Sequence, residues 1–319
     1  PFAQSRRRPY VSCRIRRGHP MLMAMKVLNN RNFIFILAMI LGLFLPQPAE
    51  WTKVLMIPAL ALVMTLATVN VPNNYFLNPR AILKPSLAGM FMSYIILAGV
   101  LLCLSALLIE DKNLWIGFVL IASVPPAVAV IPFTAILEGN VDYTLSGTVA
   151  SYIAALLIMP VILWIFIGTV FEDPYKLLQI MLLLIVLPLI LSRLILYFNW
   201  QEKLSSVRGF LTDWGFFIVL YSMIGVNRDL IFSNPLTVFS VAVISFCTTF
   251  VLGWFIQRIC AFCRIDKKNM VSLLLLGTLK NQGIAGGLAI TLFEKEAAIP
   301  SAIYSIFMIV YIMWLDWRK

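Results

Sequence analysis

The chain has 319 residues; 61% are hydrophobic, only 12% are charged, and the mean hydropathy is +0.93. Soluble domains carry about a quarter charged residues, so this composition excludes a water-soluble globular protein. The net charge of +11 is gathered in a tail and in short loops, which excludes the contiguous basic face of a nucleic-acid binder and fits a chain embedded in the lipid bilayer.

The first twenty residues, PFAQSRRRPYVSCRIRRGHP, hold no acid and no apolar core, so they are not a secretory signal. Residues 1–31 read as a basic tail outside the fold. Its start is sequence upstream of a first residue at Met21, Met23 or Met25, or else an organelle transit segment. Ten apolar segments follow, at 32–46, 52–70, 86–109, 114–137, 143–171, 174–197, 207–226, 235–258, 270–293 and 297–316. Each approaches the length of a membrane-spanning helix. The linkers carry most of the charge: EDKN at 110–113, FEDPYK at 171–176, NWQEKLSSVR at 199–208, CRIDKKN at 263–269 and FEKEAA at 293–298. The sequence therefore predicts an all-α membrane protein with ten transmembrane helices.

With the N-terminus in the cytoplasm, the inside loops and C-terminus hold eleven Lys/Arg, from Arg80 and Lys84 to Arg318 and Lys319; the outside loops hold five. The N-terminal tail adds eight more to the inside. This bias places both termini in the cytoplasm of a cell's inner or plasma membrane. The loop between the fourth and fifth segments, with Glu138, Asp142 and no basic residue, fits that orientation poorly. Cys260 and Cys263 form a lone C-x-x-C, and the single histidine, His19, lies far away in the tail. A zinc site needs more ligands, so these cysteines read as free thiols and no metal site is expected.

Segments four and nine are interrupted. The fourth reads LIASVPPAVAVIPFTAIL, with Pro125, Pro126 and Pro132; the ninth reads LLGTLKNQGIAGGLAITLF, with Gly283, Gly286 and Gly287. Five helices plus five, each set with its fourth member broken, predict two inverted repeats, 32–171 and 172–319. An odd number of crossings turns the second copy upside down, and matched broken helices mark a transporter's binding site. Helices 4 and 9 are expected to be broken and to cross, because backbone that leaves the helix inside a bilayer must be satisfied by protein or cavity water.

Lys280 lies in the second interruption. It is alone among Lys and Arg near the middle of a predicted span, where a charge costs about 2.5–3.5 kcal/mol on insertion scales. The acids fall in linkers or tails, and Asp213 falls near a helix end. Three roles stand for the ammonium. It occupies a cation's place at the carbonyl end of a half-helix, it pairs with an anionic substrate, or it carries a proton. Asn281 and Gln282 supply amides that donate and accept, and Thr278 supplies a hydroxyl. Thr144, Ser146, Thr148 and Ser151 on segment five are further lining, unless their hydroxyls bond to their own helix. Gly283, Gly286 and Gly287 are expected to permit the second break and close packing, and Pro125, Pro126 and Pro132 to shape the first. No buried acid pair, metal cluster or histidine in the spans suggests an enzyme.

These features resemble the bile acid:sodium symporter family. The likeness runs from about Asn32 to Trp317. It is strongest in RNFIFILAMILGLFLP (31–46), in ASVPPAVAVIPFTAILEGN (122–140) with its Gly139-Asn140 turn, and in KNQGIAGGLA (280–289). The resemblance implies a panel domain of helices 1, 2, 6 and 7 and a core domain of helices 3–5 and 8–10. An amphipathic or small organic anion would lie between them, and sodium behind the crossing. The chain reads as a divergent, bacterial-type member with altered sodium sites. Where the family has glycines after the proline and then a Ser-Asn pair, it has Pro126, Ala127, Val130 and Ile131. Leu276 stands at the family's acid and Lys280 at its Gln; Asn281 and Gly283 remain. The expectation is a secondary transporter of an organic anion, without the usual sodium sites, with Lys280 replacing the cation or carrying a proton. The site residues are Lys280, Asn281, Gln282, Thr278, Gly283, Pro125, Pro126, Thr148 and Ser151, and no cofactor is expected. The alternatives are a sodium-coupled symporter of a bile-acid-like anion, and a channel or non-transporting sensor.

Overall fold

A computed structural model describes residues 30–69, 79–168, 174–233 and 235–318. The basic tail before Asn30, the side chain of Arg80 and the last residue lie outside the described residues. Among the described residues the chain is helical apart from its turns. The helices are α1 (Arg31–Phe44), α2 (Ala49–Thr68), α3 (Ile82–Leu108), α4 (Lys112–Ser123), α5 (Val130–Ile136), α6 (Val141–Ile167), α7 (Leu182–Tyr197), α8 (Gln201–Ser233), α9 (Val238–Phe262), α10 (Lys267–Leu276), α11 (Gln282–Leu292) and α12 (Ile299–Trp317). Six of these, α2, α3, α6, α8, α9 and the α12 region, are long and apolar enough to cross a membrane.

Local chemistry sets the helix ends. Asn30, Asp111, Asn140, Asp266 and Asn281 each cap a helix, a side-chain oxygen accepting from the backbone amide three residues on. This satisfies donors that the first turn leaves open. At the C-terminus of α6, Gly168 takes a positive φ of 63° that suits glycine. The linker expected at 199–208 is shorter in the structure. Only 198–200 separate α7 from α8, and Gln201–Arg208 already form the first turns of α8. Gln, Glu, Lys and Leu favour helix, so the drop in hydropathy there does not mark a helix end. For the same reason Asp213 is not near a helix end. It lies well inside α8, is buried, and accepts from Arg31 Nε at 2.6 Å.

The helices pack in two groups, joined where α8 also lies against α12. In the first, α8 runs along α1 and α2, and α7 packs on α2. In the second, α3 and α4 lie against α6, α9 lies against α10 and α12, and α11 touches α4 and α12. Some approaches are close enough to require glycine: a Cβ at Gly89 of α3 would run into the backbone of Gly147 of α6. Large apolar side chains such as Leu107, Leu157, Trp164 and Phe262 point outward, as a lipid-facing surface requires.

Candidate functional site

The site lies where the α4–α5 and α10–α11 gaps meet. The regular helical ladder is interrupted in both gaps, and two backbone hydrogen bonds join them. Ala127 N donates to Leu279 O at 3.2 Å and Asn281 N donates to Pro125 O at 2.9 Å, so Pro126 and Lys280 form an isolated antiparallel bridge. Proline lacks an amide to donate, so Pro125 and Pro126 break the helix and leave carbonyls for partners.

Lys280 is fully buried. Its Nζ donates to Ala122 O at 2.9 Å and Val124 O at 2.7 Å. These are among the last carbonyls of α4, at the negative end of that helix's dipole. The Tyr94 ring centroid lies 4.2 Å from Nζ, a cation–π contact. Tyr94 sits in a π-helical stretch of α3, Phe91–Leu97, and its hydroxyl donates to Ser151 O at 3.0 Å. Among the described residues no carboxylate pairs with Lys280. The amine is enclosed by protein and stands at the end of a half-helix with oxygen atoms and a ring about it.

Asn281 knits the crossing together. Its Oδ1 caps α11 at Ile284 N, 3.1 Å away, while its Nδ2 donates to Tyr152 Oη at 2.8 Å. Tyr152 in turn donates to Pro126 O at 3.0 Å. Tyr94 and Tyr152 are the residues that sequence reasoning missed: a tyrosine in an apolar span carries no sign of whether it faces lipid or a buried cation.

Gln282 is 3% exposed, and neither its amide oxygen nor its amide nitrogen has a hydrogen-bond partner. It lines a narrow cavity of 30 Å³ with Asn281 and Gly283. Through Phe35, Val128, Ala129 and Phe216 this cavity adjoins a cleft of 470 Å³ between α1, α2, α8 and the α4–α5 break, with Arg31 and Arg208 among its lining.

The remaining expected residues are placed differently. Thr278 donates to Leu274 O, Thr148 to Thr144 O and Ser151 to Gly147 O, each at 2.7 Å. Their hydroxyl protons go to their own helices, as do those of Ser146 and, on α5, Thr134. Gly283, Gly286 and Gly287 lie inside α11 and none has a positive φ, so they do not make the break. Gly283 and Gly286 admit Leu60 and Met223 at close range, while Gly287 has ordinary clearance. Val130 and Leu276 are fully buried in one apolar cluster with Ala127 and Leu279.

The family model for the sodium bile acid symporter family matches residues 57–234. The chain belongs to that family. The match takes in the first break and ends before Lys280. Members of this family are transporters rather than enzymes. Two Bacillus subtilis (strain 168) proteins are similar. "Uncharacterized protein YbaS" is 24% identical over 203 residues, which is 60% of this chain and 64% of that protein. "Uncharacterized sodium-dependent transporter YocS" is 21% identical over 221 residues, 68% of each chain. The aligned part of the chain thus spans just under two thirds of YbaS. Family and apolar helices together make this an integral membrane protein.

Proposed function

We propose that the protein is a secondary transporter of an organic anion, working by alternating access, in which the Lys280 ammonium stands in place of a coupled cation. The observation that carries this reading is the buried Nζ held by Ala122 O and Val124 O at the carbonyl end of α4. That end of a broken helix attracts a cation, and here a side chain supplies it. The surroundings support this. Val130 and Leu276, at positions where the family offers sodium ligands, bring no oxygen and pack together in an apolar cluster. Hard cations need several oxygen ligands.

The inverted repeat belongs to the same reading. Counting α4 with α5 and α10 with α11 gives ten crossings. The π-helical stretches that begin at Phe91 and Cys247 lie about 156 residues apart, as do the two breaks, in line with paired repeats. The α1, α2, α7 and α8 group is then the panel, and the other helices are the core. The 470 Å³ cleft between the groups, apolar along most of its wall with Arg31 and Arg208 in its lining, suits an amphipathic anion with a carboxylate or similar head. The unpartnered amide of Gln282 faces the inner end of that path. Both termini are placed in the cytoplasm on the loop-charge bias.

A sodium-coupled symporter is the second reading, favoured by the name of YocS, a sodium-dependent transporter. Uptake of radiolabelled organic anions into proteoliposomes separates the two. Our reading expects uptake without sodium, and loss of uptake in a folded Lys280→Gln variant. A steep sodium requirement in the wild-type protein overturns it in favour of the symporter; many charges moved per event overturn it in favour of a channel.

A further inference from the structure

A second cavity, of 410 Å³, shares no lining residue with the cleft. Its basic rim is Lys267 and Lys268 in the first turn of α10 and Arg318 just beyond α12; Met270, Leu274 and Leu315 form an apolar wall. Glu138 is its single acid. Lys267 and Lys268 are exposed, and among the described residues neither they nor Arg318 forms an ion pair. Two cations in the first turn of a helix oppose its dipole, and α10 has no acid in that turn to offset them. Asp266 beside them is engaged as the cap of α10, accepting from Asn269 N at 3.0 Å. The fold holds three cations against two carboxylates, Glu138 and Asp266, beside an apolar wall, a net positive arrangement complementary to an anion that carries a hydrocarbon tail.

The depth of the cavity fits a lipid. The Arg318 guanidinium lies 4.6 Å from the Trp314 ring, and on α9, one residue from the lining Gln257, Arg258 lies 5.3 Å from Trp254. Phe262 and Trp317 are exposed close by in sequence. Tryptophan and arginine gather in this way at the membrane–water interface, where basic pockets between helices bind anionic headgroups. We propose that this cavity is a binding site for an anionic glycerophospholipid, with the phosphate on Lys267, Lys268 and Arg318 and an acyl chain along Met270, Leu274 and Leu315. A free inorganic phosphate would make no use of the apolar wall.

The test uses the full chain in detergent, with thermal unfolding and native mass spectrometry read against added phosphatidylglycerol, phosphatidylcholine or inorganic phosphate. The expected result is stabilisation and retained adducts with phosphatidylglycerol only. Each basic residue near an anionic lipid contributes on the order of fivefold in affinity. Lys267→Gln with Lys268→Gln should therefore weaken phosphatidylglycerol binding by about thirtyfold. Arg318→Gln, exposed just beyond α12, serves as a milder variant should the double one fold poorly. Equal binding of phosphatidylcholine, unchanged affinity in the folded variants, or no stabilisation of the wild type overturns the site. Equal stabilisation by inorganic phosphate assigns the cavity to a free phosphate and overturns the lipid. The readout is binding rather than uptake, so its failure leaves the transport reading untouched.

Discussion

Lys280 and Gln282 lie two residues apart in the chain, with opposite polar accounts. The lysine's proton donors meet two carbonyls and its charge meets a ring, whereas both polar atoms of the glutamine's amide are buried and unmet. A buried amide without partners costs about 1–3 kcal/mol. A chain retains such a cost where a ligand completes the bonds. Gln282→Met should therefore raise the thermal stability of the empty protein, by up to about 2 kcal/mol, while lowering the apparent affinity for the transported anion. Paired unfolding and uptake measurements check this; stability lost together with transport would make Gln282 a packing residue. Lysine was legible in the sequence because a single charge in an apolar span stands out. Thr278, Thr148 and Ser151 were not, because a hydroxyl on a helix bonds its own carbonyls as readily as a ligand, and only coordinates choose.

The helical elements were read from the sequence with their interruptions in place. Proline at 125 and 126 explains the first break outright. The second break was attributed to glycines, yet α11 runs through Gly283, Gly286 and Gly287. The gap instead begins at Gly277, the C-cap of α10, and closes where Asn281 caps α11; a lone Asn within a polar stretch carries a weaker signal than three glycines. Glycine matters more at the α3–α6 contact. Gly89→Ala places a methyl against the Gly147 backbone, which has no side chain to yield, and overpacking of this kind costs about 1–3 kcal/mol. Gly99→Ala, on the same helix with nothing within 4 Å, should instead stabilise by about 0.5–1 kcal/mol through helix propensity. Opposite signs in thermal unfolding test the packing; equal effects would deny the close approach.

At the scale of the molecule, the composition identified a bilayer protein, and the paired breaks pointed to two repeats. The cleft was not legible, since it is lined by Phe35, Val128 and Phe216, residues that look like any core. Gly209 lines it with open space around its Cα. In a chain whose five cysteines are replaced by serine, Gly209→Cys should react with a charged thiol reagent from the aqueous side, and a transported anion should slow that labelling. Labelling that the anion leaves unchanged would place the substrate elsewhere. The tether of Lys280 also bears on energetics. A sodium ion dissociates after each cycle and so hands its gradient to the cargo; an ammonium bonded into the backbone never leaves. In the transport reading the carrier can therefore draw no work from a salt gradient. Its net direction follows the anion's own concentration ratio and whatever fraction of the membrane voltage the charged centre crosses, about 2.3 kcal/mol per charge for each 100 mV. Such a machine equilibrates or exchanges its cargo instead of accumulating it against sodium.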